Sequence, residues 1–197
     1  MDDIVEVFFD LETKHWFDES GIASLSDLGV SIVCMYVRPE NKMYSFWEKD
    51  FDQMWQIFRR ANRIIGFNSL KFDVPVLTPY APSDFPKLNH FDIYQEIQKS
   101  NNGFAAGLNA IAKGSIGKGK NDTGENATVY WDRGDEISLK LLDTYCQMDV
   151  ELTRDVYDYI MKNKIVKYID RWNSPREVPL DFSYPSNSNS IAQPSLF

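Results

Sequence analysis

Asp10 and Glu12 close an apolar run, Ile4-Val5-Glu6-Val7-Phe8-Phe9-Asp10-Leu11-Glu12-Thr13. Two more acidic motifs follow in order: Gly66-Phe67-Asn68-Ser69-Leu70-Lys71-Phe72-Asp73 and Tyr145-Cys146-Gln147-Met148-Asp149. Residues two apart on a strand point to the same face, so Asp10 and Glu12 reach into one space. Residues four apart on a helix share a face, which puts Tyr145 beside Asp149. Four carboxylates gathered in this way suit two divalent cations roughly 3.5–4 Å apart, an arrangement that activates water and stabilises the departing oxygen of a phosphodiester. In such a set Asp10 is placed to bridge both cations and Glu12 to hold one. Asp73 completes it as an outer or water-mediated ligand, and Tyr145 orients or helps to deprotonate the attacking water. Every proposed ligand is an oxygen, which favours Mg2+ or Mn2+ over Zn2+.

The elements that must position these groups are legible from periodicity. Residues 4–10 read as a buried strand, rich in Val, Ile and Phe. Leu28 to Val37 and Lys42 to Trp47 read as two more strands across a turn at Pro39-Glu40-Asn41, giving an antiparallel meander. Asp50 to Ala61 carries Phe51, Met54, Trp55 and Phe58 at helical spacing, with Asp50 as a candidate cap and Arg59-Arg60 near its end. A strand at Arg63 to Phe67, a helix near Phe72 to Tyr80 and an extended piece at Asn89 to Asp92 follow. Helices are expected at Ile93 to Lys99 and Phe104 to Lys113, then a flexible basic loop from Gly114 to Lys120. Asp135 to Tyr145 and Asp149 to Lys164 read as helical, either two segments or one helix with a break. The alternation of strands and helices after a hairpin run predicts an α/β fold, a mixed sheet covered by helices.

At 197 residues, 43% hydrophobic and 14% aromatic, the chain has material for one well-buried core. The expected organisation is a domain over 1–172 and a flexible tail over 173–197, where Pro, Ser and Asn dominate. There is no basic, apolar leader and no run long enough to span a bilayer, so a soluble, cytoplasmic protein is expected. Cys34 and Cys146 have no neighbouring ligands and read as reduced core residues. The formal charge of −8 argues against a protein that coats nucleic acid. Setting aside the four proposed ligands takes −8 to −4, a balance compatible with transient binding of a strand end.

The three motifs, in this order, resemble the exonuclease motifs of the DEDD superfamily. One branch of that superfamily has His five residues before the last Asp, but position 144 here is Thr, and Tyr145 fits the Tyr-x3-Asp branch called DEDDy. The stretch from Tyr145 to Thr153, with Gly66-Phe67-Asn68 before Asp73, is most similar to stand-alone relatives of the family B DNA polymerase proofreading domain. The resemblance covers roughly residues 4–165. It implies a ribonuclease H-like mixed five-stranded sheet flanked by helices, and a metal-dependent 3′→5′ exonuclease that releases 5′-mononucleotides.

Further candidates lie around these motifs and at the end of the chain. Thr13, Lys14, His15, Trp16 and Phe17 follow the first motif, where a strand end could be gripped and stacked upon, or where Trp16 and Phe17 simply pack a loop. Asn68 either contacts substrate or caps the next helix. Lys113, Lys118 and Lys120 are candidates for phosphate contacts or for a solvated basic loop, and Asp92 either approaches the metals or ends a strand. The tail ends in Gln193-Pro194-Ser195-Leu196-Phe197. It resembles the Gln-x-x-Leu-Phe peptide by which bacterial replication and repair proteins bind the sliding clamp, with Leu196 and Phe197 filling an apolar pocket and Gln193 hydrogen-bonding beside it. The leading expectation is an exonuclease acting on single-stranded DNA 3′ ends in repair or replication. RNA as substrate, and a non-catalytic clamp-binding adaptor with a nuclease fold, are the alternatives.

Overall fold

A computed structural model describes residues 4–17, 21–119 and 125–184. The first strand, β1 (Glu6–Thr13), is buried on both faces over its middle because it runs through the centre of the sheet. Its neighbours are β2 (Val30–Arg38), antiparallel to it, and β3 (Lys42–Phe46), antiparallel to β2. The expected meander is therefore present. Helix α1 (Phe51–Arg60) buries Phe51, Met54, Trp55, Ile57 and Phe58. Asp50 occupies its N-cap position without a side-chain capping bond. The chain then returns as β4 (Arg63–Gly66), parallel to β1, and after α2 (Asp73–Leu77) as β5 (His90–Asp92), parallel to β4. The sheet order β3-β2-β1-β4-β5 is a mixed five-stranded sheet, as expected from the sequence.

Period-two alternation divides the core between the two sheet faces. Phe8, Ile32, Cys34 and Ile65 face α3 (Ile93–Ser100), α4 (Leu108–Ile116), α5 (Glu125–Arg133) and α6 (Glu136–Asn163). Val7, Phe9, Leu11, Val33, Met35 and Ile64 face α1 and α2. On that side Phe58, Trp55 and Phe85 pack with ring centroids 5.0–5.7 Å apart.

Helix α6 is continuous over its 28 residues, with no break between Tyr145 and Asp149, since no Gly or Pro interrupts it. Asp135 caps it by accepting from the Ile137 and Ser138 amides at 3.1 and 3.0 Å. Lys164 ends it in the left-handed conformation.

Three expectations are corrected. The loop expected to begin at Gly114 is helical as far as Ile116. Gly114 is needed there for a close approach: a Cβ would lie 2.4 Å from the Lys167 carbonyl oxygen. Helix α5 falls where no element was expected. The chain also stays folded past the boundary expected at 173: β6 (Ile165–Ile169) pairs antiparallel with β7 (Pro175–Pro179), and Leu180 and Phe182 are buried. The proline and serine content masked a hairpin held by tertiary contacts. Arg63, only 4% exposed, donates to the Tyr157 hydroxyl and the Phe182 carbonyl at 2.8 and 2.7 Å. Its guanidinium also lies over the Phe91 and Tyr184 rings. Among the described residues no helix is long and apolar enough to cross a membrane.

Candidate active site

Carboxylate oxygens of Asp10, Glu12 and Asp149 lie within 4.8 Å of one another. Two features of the chain produce this convergence. Asp10 and Glu12 share the α6-facing side of β1, and the ladder to β2 shifts register between Glu12 and Thr13. Such an irregularity at the end of a pairing re-aims the side chains beside it. On α6, Tyr145 and Asp149 are one turn apart on the inward face, 6% and 5% exposed.

The helix is pinned in the register that this needs. Ser45 on β3 donates to Asp143, and Gln147 donates to both Ser45 and Asp143 at 3.0 and 2.8 Å. The Cys146 thiol donates to the Asp10 carbonyl at 3.6 Å. Burial first, then the adjacent Cys34, pushes that thiol well above its ordinary value, so it remains a protonated donor. Cys34 sits opposite Asp10 in the sheet, so the two cysteines read as core residues do pack in the core, directly behind the acidic cluster.

Asp73 arrives from the other side of β1. It is 4% exposed and accepts from the amide of Leu11, the residue between Asp10 and Glu12. Burial, and then the charges of Asp92 and Asp149, outweigh its backbone hydrogen bonds and push its carboxyl up to about 7. The loop that delivers it is built on three devices. Gly66 gives way to Ser69, whose Oγ would be 2.4 Å from a Cβ at position 66. Asn68 adopts a left-handed backbone at φ 61°, and its carbonyl accepts from Lys71 and Phe72. Asp92 accepts from the Asn68, Leu70 and Gln95 amides at 2.9, 3.0 and 3.2 Å.

Asp92 is thus a strut that joins β5, the cap of α3 and the Asp73 loop. The signal for this was present in the sequence, an Asp immediately before a helical run, but its reach back across the sheet to residue 68 was not. Asn68 is half-buried, and its side chain does not cap α2, whose N-cap is Phe72.

The remaining candidates are dispersed. The Thr13 hydroxyl donates to the His15 carbonyl. His15 is exposed, and its amide bonds to Leu28. Trp16 is 41% exposed and its indole N–H donates to Thr128 of α5. Lys14 pairs with Glu48 and lies over the Trp131 ring, which in turn stacks near Trp47. The indole bond to Thr128 and the Trp131 wall were not foreseeable, because α5 was not. Lys118 is ion-paired with Asp155 at 2.6 Å, about 9 Å further along α6 than Asp149. Lys120, Gln193, Leu196 and Phe197 lie outside the described residues.

The donor set fits hard divalent cations: three convergent carboxylates and a fourth, buried beside them, whose charged form is disfavoured until a cation compensates it. Asp10, Glu12 and Asp149 are the residues that would hold a cation.

A comparison with curated proteins gives no match in sequence. Among solved structures, the chain is similar to the family B DNA polymerase from the hyperthermophilic archaeon Pyrobaculum calidifontis, with a TM-score of 0.60 at 16% identity. The similarity covers 81% of this chain and 25% of the polymerase, so it is a likeness of fold to one part of a much larger protein. A family model described as the RNase_H superfamily matches residues 7–161. With the sheet order, the strand-borne acidic pair and the facing carboxylate of α6 in place, the chain belongs to the RNase H superfamily.

Proposed function

We propose that this protein is a 3′→5′ exonuclease of the DEDDy type, hydrolysing phosphodiester bonds at the 3′ ends of single-stranded DNA. The observation that carries the reading is the convergence of Asp10, Glu12 and Asp149, with Asp73 buried against the Leu11 amide between the two strand carboxylates. Two Mg2+ or Mn2+ ions held there supply Lewis acidity at the scissile phosphate and acidify water. Asp10, Glu12 and Asp149 would hold these ions, with Asp73 as an outer or water-mediated ligand. Tyr145, one turn before Asp149, holds the attacking water in line and helps to take its proton. Thr13 at the end of β1, with His15 and Trp16 just after it, is assigned to the terminal nucleotide. Asn68 is assigned to the substrate side of the Asp73 loop.

The DNA assignment is supported by the fold shared with a family B DNA polymerase. The test is digestion of 5′-labelled single-stranded DNA, with a matched RNA, in Mg2+ or Mn2+. A ladder shortening from the 3′ end, abolished by Asp10→Ala and by EDTA, is the expected result. Preferential loss of the RNA would transfer the assignment to an exoribonuclease. No degradation by folded protein would leave the adaptor reading. The Gln193, Leu196 and Phe197 peptide is assigned to a bacterial-type sliding clamp. Its test is recovery of clamp by wild type but not by the Leu196→Ala/Phe197→Ala variant.

A further inference from the structure

A groove of about 670 Å³ lies between the residues that connect α3 to α4 and the β6–β7 hairpin, within the size range of ligand sites. It is remote in sequence from the acidic motifs, and its hairpin wall begins after residue 161, where the family match ends. Phe104 and Trp172 line it with 61% and 63% of their surfaces exposed, beside Tyr168, Arg171 and Arg176.

Two bulky rings held open to water need a reason, because a hairpin turn is ordinarily polar. The turn that displays Trp172 is firmly built. Asp170 accepts from the Trp172 and Ser174 amides, each at 2.9 Å, and from Arg176 at 2.7 Å. On the facing side Asn101 donates to the Tyr168 hydroxyl at 2.9 Å, tying the two walls together. The Arg171 guanidinium lies 4.2 Å over the Trp172 ring.

Charge selects the occupant. Arg171 and Arg176 line the groove against one carboxylate, Asp170, and the segments to which its walls belong, 97–119 and 162–176, add six lysines outside the lining and no further carboxylate, in a chain whose net charge is −8. Some of these cations pair with flanking Glu96, Asp155, Glu177 and Asp181. Counting all four, eight cations still face five carboxylates, a local excess of three. An apolar peptide or a second copy of an acidic protein explains the rings, and the second copy is opposed by its own charge. Aromatic faces beside arginine within a cationic surround match single-stranded nucleic acid, whose bases stack on rings while its phosphates take the charge.

We infer that this groove is a second binding site for single-stranded nucleic acid, stacking bases on Phe104 and Trp172 and holding the strand away from the acidic cluster. The ligand class rests on the exonuclease reading, and the assay separates the two. The full chain is titrated in EDTA, where hydrolysis is suppressed, against a fluorescent 20-nucleotide single strand, followed by anisotropy at low salt. Each stacked ring is worth about fivefold or more in affinity. Phe104→Ala/Trp172→Ala should therefore bind at least about tenfold more weakly than wild type. Trp172→Phe, which keeps a ring, should stay within about threefold. Arg171→Glu provides a variant without ring loss and should weaken binding while steepening nothing in the melting curve, with its salt slope reduced by about one. Melting temperatures equal to wild type keep the comparison one of binding.

Equal affinity in the double variant overturns the inference, as does the absence of any binding by wild type. A wild-type dimer that becomes monomeric on Phe104→Ala/Trp172→Ala substitution, with strand affinity unchanged, assigns the groove to a second copy and overturns it too. Hydrolysis in Mg2+ with unaltered binding by the double variant sinks the groove alone. Binding that depends on both rings, without hydrolysis in any metal, sinks the exonuclease reading alone.

Discussion

Replacing Asp73 with Asn removes one buried negative charge while keeping an oxygen to accept from the Leu11 amide. In the folded, metal-free protein, burial and the charges of Asp92 and Asp149 raise the Asp73 carboxyl from its ordinary 3.8 to about 7. A group raised on folding contributes stability that is fully present below its unfolded value and lost as the pH rises through its folded value. The loss here falls between about pH 4 and about pH 7. The displacement from 3.8 to about 7 corresponds to about 4 kcal/mol between the two protonation states. Wild type in EDTA should therefore be less stable at pH 8 than at pH 5 through this group. Asp73→Asn should flatten that dependence and be the more stable protein at pH 8. Adding Mg2+ at pH 8 should narrow the gap: a cation at 100 times its dissociation constant stabilises wild type by about 2.7 kcal/mol, and the variant gains less. Urea denaturation at pH 5 and pH 8, with and without Mg2+, reads both effects. Parallel pH profiles for wild type and variant in EDTA would refute the reasoning, since they would mean that the carboxylate is not held in a low-dielectric, like-charged pocket.

Four further outcomes follow from the packing. Arg63→Leu deletes a buried cation that holds the Tyr157 hydroxyl and the Phe182 carbonyl, and should cost about 3 kcal/mol in urea unfolding; a change under 1 kcal/mol would show that the network is dispensable. Ending the chain after residue 172 removes β7 and Phe182 and should cost at least about 3 kcal/mol in urea unfolding; a cost under about 1 kcal/mol would show that the hairpin is not part of the cooperative core. Gly114→Ala drives a methyl into the Lys167 carbonyl and should destabilise by about 1–3 kcal/mol, with β6 amides exchanging faster. Asp92→Ala releases two amides of the Asp73 loop and one of the α3 cap and should lower Mg2+-dependent hydrolysis at least about tenfold, while Asp92→Asn keeps an acceptor and retains most of it; equal activities for Ala and wild type would remove the strut from the account.

The five-stranded core was legible because its information is local. Period-two alternation in β1 and β2, the apolar stripe of α1 and the four-residue spacing of Tyr145 and Asp149 are each dictated by backbone geometry within a few residues. The acidic set was legible for the same reason: a strand end and a helix face each orient two of its members without knowledge of the rest. Elements whose stability lies elsewhere in the chain were missed. The segment after Asn173 reads as a polar tail, and its stretch 175–182 folds because Ile165–Ile169 offers an open ladder and Arg63 binds the Phe182 carbonyl from 119 residues away. Gly114 reads as loop, and it lies instead in a helix that packs too close to β6 for any side chain there. The individual residues thus determined by themselves which carboxylates exist and which way each pair points. Only the tertiary structure decided that β1 and α6 meet at Asp10 and Asp149, with Cys146 against the Asp10 carbonyl, because that register is set by side chains more than a hundred residues apart.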